Sequence, residues 1–243
     1  MFILYRRYGK TVEITTIEKE PHKIRVRAPR KKITRYGFRR PDNIRRTKTI
    51  CLRRVSVALA VYGCPLLITL TFDGDASDAA YASDALRRFQ VRLRGKFVGA
   101  QSLFVPELSP RGRIHFHGLV FNVPLSLGDT RKGRRVVSHG EERSTRVLAG
   151  LWGEGFVDAR KTDGSPRLAY YLSKYITKGG GEVLFAAMRL LRISHGFPKE
   201  EVVRGEVAEK LARKYDAEKT PLREWEGDNI FLGKITKKVY EDE

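Results

Sequence analysis

Arg113-Ile114-His115-Phe116-His117-Gly118-Leu119-Val120-Phe121 reads as a β-strand, because apolar, aromatic and β-branched residues dominate and no helix signal interrupts them. Side chains alternate across a strand, so His115 and His117 project from one face while Ile114 and Phe116 cover the other. Two imidazoles at i and i+2 on a rigid strand are a ready pair of ligands for a divalent metal. Taken alone, a His-x-His is more often an ordinary pair of strand histidines, so its neighbours decide the reading.

The nearest neighbour is the turn before it, Ser109-Pro110-Arg111-Gly112. Pro at the second position and Gly at the fourth suit a type I turn followed by a left-handed glycine. That combination makes a three-residue hairpin loop with a bulge at Gly112. The register then sets Ser109 opposite Arg113, Glu107 opposite His115 and Val105 opposite His117. Opposed residues share a face, so Glu107 stands with the histidines as a third candidate ligand. The partner strand runs from Ser102 to Leu108, with Pro106 marking a point where one side lacks a hydrogen-bonded neighbour.

Further out, Leu66–Phe72 reads as a buried strand and Asp73-Gly74 as a turn. The spacing of Leu86, Phe89, Val91 and Leu93 predicts a helix over about 77–97, with Arg87, Arg88, Arg92 and Arg94 on its basic side. A Gly-, Arg- and Lys-rich loop covers 123–143. A short helix over 144–152 and a strand over 155–160 follow. Ser165-Pro166 opens a helix running to about Lys178 and stopped at Gly179-Gly180-Gly181. On that helix Leu168, Leu172 and Ile176 form an apolar stripe. Tyr171 and Tyr175 lie four apart on one face, Lys178 is beside Tyr171, and Lys174 is a little further round. Tyr170 points about 100° away from Tyr171.

The whole chain has 243 residues and a formal charge of +20, with a pI near 10.2, which points to a polyanionic partner. Residues 1–54 hold 18 Lys/Arg against 4 Asp/Glu, a surplus of 14. They read as a basic nucleic-acid-binding arm, with alternation at Thr11–Ile14 and Lys23–Arg27 that allows a hairpin. Residues 55–181 read as the core domain. Residues 182–243 read as a helical extension (helices over 182–191 and 198–215) with a final strand over 230–239. No apolar run reaches the roughly 18 residues that span a bilayer, and MFILYRRYGK is too short a stretch for a secretory signal. Cys51 and Cys64 sit in no metal or redox spacing. A cytoplasmic location is expected, and no membrane partner. The ATPase loop GxxxxGK[ST] is absent from the sequence, so a separate helicase and polymerase are expected.

A tyrosine oxygen can attack a phosphodiester and leave a phosphotyrosine bond and a free sugar hydroxyl. With a free pKa of about 10, the phenol needs help. A divalent ion on His115, His117 and Glu107 would act as a Lewis acid on the scissile phosphate. Lys174 would favour the phenolate and offset phosphate charge. Histidine and carboxylate ligands without cysteine fit Mn²⁺ or Mg²⁺, and are compatible with Zn²⁺.

In this order, the Leu66–Phe72 strand, Glu107…His115-Phe116-His117 and Tyr171-Leu172-Ser173-Lys174-Tyr175 resemble the HUH endonucleases that initiate rolling-circle replication. The YxxKY arrangement is most similar to replication initiators of microvirus-type phages. The resemblance covers about 65–180. It implies an α+β fold with an antiparallel, RRM-like sheet flanked by helices. It also implies nicking of single-stranded origin DNA through Tyr171 and Tyr175, with a 5′-phosphotyrosine link and a free 3′-OH. His115, His117 and Glu107 would be the metal ligands, and the host-cell cytoplasm the setting. A transposase or plasmid relaxase of the same chemistry is the near alternative. A basic nucleic-acid-binding protein whose sheet only stacks bases is the non-enzymatic one.

Overall fold

A computed structural model describes residues 1–19, 41–74, 78–128, 143–180, 188–230 and 232–242. In chain order the elements are β1 (Phe2–Tyr8), β2 (Thr11–Ile17), α1 (Pro41–Tyr62), β3 (Leu66–Phe72), α2 (Ala79–Lys96), β4 (Gln101–Leu108), β5 (Ile114–Phe121), α3 (Arg143–Trp152), β6 (Gly155–Lys161), α4 (Arg167–Gly180), β7 (Arg192–Ile193), β8 (Glu201–Arg204), α5 (Glu206–Glu218), β9 (Arg223–Asn229) and β10 (Gly233–Glu241). The fold is α+β, with two antiparallel five-stranded sheets, as the sequence led us to expect. The elements form two compact units, Met1–Lys32 with Lys199–Glu243, and Ile33–Pro198. No helix among the described residues is long and apolar enough to cross a membrane.

The Ile33–Pro198 unit is built on a sheet of order β6-β3-β5-β4-β7. Period-2 alternation divides it into two faces. Ile68, Leu70, Phe72, Phe104, Phe116 and Val157 are buried on one face. Leu86, Phe89 and Leu93 of α2, with Leu148 and Trp152 of α3, join them in one apolar core. Phe89 meets the Phe104 ring edge-on at 5.9 Å, and Trp152 meets Phe72 at 5.0 Å. The opposite face is covered unevenly. Helix α4 lies over β4 and packs on α1, and Leu103, Val105 and Leu119 of the sheet are buried with Leu172 and Ile176 of the helix. The β3–β6 half of that face stays open.

Gly118 shows how tightly β5 and β4 approach. A Cβ there would overlap the Phe104 ring and come within 2.6 Å of the Leu103 carbonyl oxygen. A glycine directly after His117 is therefore a packing requirement, set by the Gly118–Phe104 pairing.

The other unit differs from the sequence-based division at 54 and 181. Its sheet, β8-β1-β2-β10-β9, draws strands from both ends of the chain. One face carries α5, whose Ala208, Ala212 and Tyr215 pack with Ile3, Tyr5, Val12, Ile14 and Tyr240. The hairpin expected near the N-terminus exists, but it pairs Phe2–Tyr8 with Thr11–Ile17, while 23–27 lies outside the described residues. The rest of the expected arm is not one segment. Residues 41–54 open α1, which belongs with the larger unit because Cys51, Val55 and Ala58 give it a buried stripe. The helix expected over 198–215 starts at Glu206, since Glu201–Arg204 adds a strand to β1 and Gly205 turns at φ +68°. The helix expected over 182–191 lies outside the described residues up to 187, and Met188–Leu191 is not helical. The basic run 130–135 is likewise outside them.

Replacing Gly118 with alanine should cost about 1–3 kcal/mol of stability through overpacking. Urea unfolding would show this as a lower midpoint at unchanged slope. An unchanged midpoint would mean that Phe104 yields without cost.

Candidate active site

The site grows from the β4–β5 hairpin. The Ser109 N–H donates to the Arg113 carbonyl at 2.8 Å, and the Gly112 N–H donates to the Ser109 carbonyl at 2.9 Å. Gly112 takes φ +76°, which only glycine adopts at little cost. The loop sets the register expected from the turn chemistry: Glu107 opposite His115, and Val105 opposite His117. Both histidines and Glu107 therefore share the face that β6 and β3 leave open.

Strand β3 fixes the rings. Thr71 pairs with His115 and Thr69 with His117 across the ladder. Each hydroxyl is hydrogen-bonded to its imidazole Nδ1, at 3.0 Å for Thr71–His115 and 3.1 Å for Thr69–His117. That leaves Nε2 as the outward nitrogen of both rings. Neither threonine was singled out from the sequence, although both could have been found. They occupy alternate positions of the strand that neighbours the His-x-His.

Glu107 reaches diagonally. One carboxylate oxygen lies 2.6 Å from His117 Nε2, and the other accepts from Lys178 Nζ at 2.6 Å. Partial burial pushes the Glu107 carboxyl up, but the Lys178 bond and the His117 imidazole together outweigh it and hold the group below its ordinary range. Burial pushes the His117 imidazole down, against the upward pull of Glu107. A neutral His117 then donates its Nε2–H to the carboxylate and accepts the Thr69 hydroxyl at Nδ1. This tautomer is assigned from the network.

Helix α4 brings the tyrosines. Ser165 Oγ accepts from the Arg167 N–H at its start. The Tyr175 ring stacks on His117, with centroids 4.0 Å apart and planes at 11°. Its hydroxyl donates to Tyr171 Oη at 2.6 Å. Burial first, and then the bond to Tyr171, drive the Tyr175 phenol well above its ordinary pKa. Tyr171 lines a cleft of about 760 Å³ together with Thr69, Thr71, His115, His117, Asp158 and Arg160. Tyr170 is 59 % exposed on the far side of the helix. Lys174 is exposed and makes no hydrogen bond or ion pair with any described residue. The cation that enters the site is Lys178, one turn further on. Its angle on the helix, about 20° from Tyr171, made it the better candidate from the sequence.

The arrangement also bears on metal binding. Two imidazoles with anchored Nδ1 atoms and one carboxylate suit a divalent ion in kind. In the present arrangement, however, Glu107 is engaged by His117 and Lys178. Among the described residues no three His, Cys, Asp or Glu side chains form a group that could hold a metal.

Residues 65–180 match the family described as Replication-associated protein ORF2. The match starts just before β3 and ends with α4, so it encloses every residue of the site described above. It associates this segment with replication proteins. No curated protein and no solved structure matches the chain.

The two depressed pKa values have one sign of consequence for stability. Each group contributes stability that is complete above its unfolded value and is lost as pH falls toward its folded one. His117 should act first, below its ordinary value of 6.5, and Glu107 second, below 4.5. Lys178→Met should move the Glu107 carboxyl titration upward, read by ¹³C chemical shift against pH. A titration that does not move would mean that the Lys178 contact carries no electrostatic weight.

Proposed function

We propose that the Ile33–Pro198 unit nicks and rejoins single-stranded DNA at a replication origin, acting as a rolling-circle replication initiator. The observation that carries this reading is the pair of tyrosine hydroxyls 2.6 Å apart, with Tyr171 on the cleft beside His115 and His117. The match of 65–180 to a replication-associated family supports it.

Tyr171 is the first nucleophile, because it faces the cleft while Tyr175 is half-buried under its stack with His117. Tyr171 Oη forms a bond to phosphorus, and the bond from phosphorus to the 3′ oxygen breaks. That oxygen takes up a proton and leaves as a free 3′-OH, and the phenolic proton passes to water in the cleft. The Tyr175 O–H donates to Tyr171 Oη, a bond that strengthens as Tyr171 becomes anionic. After Tyr171 is esterified, Tyr175 serves as the second nucleophile on a regenerated origin, and the freed 3′-OH closes the first strand.

His115, His117 and Glu107 would hold a Mn²⁺ or Mg²⁺ ion, which when bound supplies Lewis-acid polarisation of the phosphate. Glu107 would then turn from Lys178, whose ammonium becomes available to the phosphate. Thr69 and Thr71 keep both rings aimed. Lys174, exposed on the flank of α4, is suited to the DNA backbone rather than to the phenol.

With single-stranded origin DNA and Mn²⁺, the protein should form an adduct that resists denaturation and maps to the Tyr171 peptide. Tyr171→Phe should reduce the adduct and shift it to Tyr175, and the double Phe variant should form none. Tyr170→Phe should be nearly silent. An adduct that survives in the double variant, or maps to Tyr170, would falsify the assignment. Thr69→Val should weaken Mn²⁺ affinity about 10–100-fold, as measured by titration calorimetry. Unchanged affinity would remove Thr69 from the account.

A further inference from the structure

On the sheet face opposite the histidines, a second cleft of about 420 Å³ opens between α2 and the edge strand β7. Arg192 of β7 pairs with Phe104 of β4, and paired residues share a face, so Arg192 points to the α2 side with the Phe104 ring. Its Nη2 donates to the Ser83 carbonyl at 3.1 Å, which is its one hydrogen bond among the described residues. Arg189 lines the same cleft, is exposed, and has no hydrogen bond or ion pair with any described residue. The remaining described lining is Ser83, Gln90, Met188, Leu191 and Ile193, with no carboxylate.

Two guanidiniums of like charge thus face one cleft without a counterion among the described residues, and one of them is half-buried. Burial is the first cause that pushes the Arg192 pKa down, and the nearby Arg189 charge is the second. Such an arrangement is costly alone and is relieved by an anion. The planar fork of arginine matches phosphate oxygens. Met188 and Ile193 add an apolar wall suited to a sugar or base.

We infer that Arg189 and Arg192 form a phosphate-binding site, separate from the cleft that holds Tyr171, which takes a backbone phosphodiester of single-stranded DNA. The choice of DNA as the phosphate source rests on the proposed function. The anion site itself does not. Strand β7 has only two residues, so the sheet edge there is short, and a strand leaving the nicking cleft can pass round it to the α2 side.

Two probes separate these layers. Inorganic phosphate, followed by NMR of the arginine side chains, should shift the Arg189 and Arg192 Nε–H signals in the wild type. The shifts should be lost in R189Q/R192Q. Oligodeoxynucleotide binding by fluorescence anisotropy should weaken in the double variant. Its salt slope should fall by about 0.7 per lost phosphate contact, about 1.4 for the pair. Adduct formation by variant protein saturated with DNA should be unchanged. R189Q alone removes an exposed side chain with no described partner, so its loss of slope cannot come from misfolding. Absence of phosphate shifts in the wild type would overturn the anion site. Phosphate binding with an unchanged oligonucleotide slope in both variants would overturn the DNA assignment. Failure of the wild type to nick DNA, with phosphate shifts intact, would count against the proposed function alone.

Discussion

A one-residue slip between β4 and β5 would turn His115 and His117 into the α2 core and bring Phe116 out beside the tyrosines. The rest of the site depends on that register. It is held from three directions: by the turn at Pro110-Arg111-Gly112, by the buried alternation of Ile114, Phe116 and Val120, and by the close packing of Gly118 on Phe104. Each is a different kind of force, a backbone dihedral preference, apolar burial and steric contact, and all agree on one pairing. Such agreement across levels is what lets a short motif specify a geometry.

From the register follows a division of labour across the sheet. The α2 face carries the large aromatic residues and supplies most of the core. The other face is only half covered, because α4 and α1 lie over β4 and leave β3 and β6 open. The boundary between covered and open halves is where chemistry becomes possible. Side chains there are buried enough to have shifted pKa values, as in His117 and Tyr175, yet still adjoin a cleft. Glu107 stands at that boundary and joins the hairpin to helix α4 through Lys178.

Much of this could be read from the chain. The turn residues Ser109, Pro110 and Gly112 encode the hairpin locally, and the 3.6-residue spacing of Leu168, Leu172 and Ile176 places Tyr171 and Tyr175 on a common face. What could not be read depends on long-range partners. The terminal sheet pairs Phe2–Tyr8 with Glu201–Arg204, and Thr11–Ile17 with Gly233–Glu241. Nothing local in those strands names a partner so distant in the chain. Helix α1 was hidden by its arginines, because the buried stripe of Cys51, Val55 and Ala58 is narrow within a strongly basic segment. The diagonal reach of Glu107 to His117, and the choice of Lys178 over Lys174, depend on side-chain length and helix placement rather than on spacing alone.

The central claim is that one carboxylate and two imidazoles, aligned by the hairpin register, converge on a single divalent ion beside Tyr171. Anomalous diffraction from crystals soaked in Mn²⁺ tests it most directly. The account predicts one strong peak at about 2.0–2.3 Å from His115 Nε2, His117 Nε2 and a Glu107 oxygen, with Lys178 moved off the carboxylate. A peak bound elsewhere, or Glu107 still joined to Lys178 and His117 at saturating Mn²⁺, would contradict it.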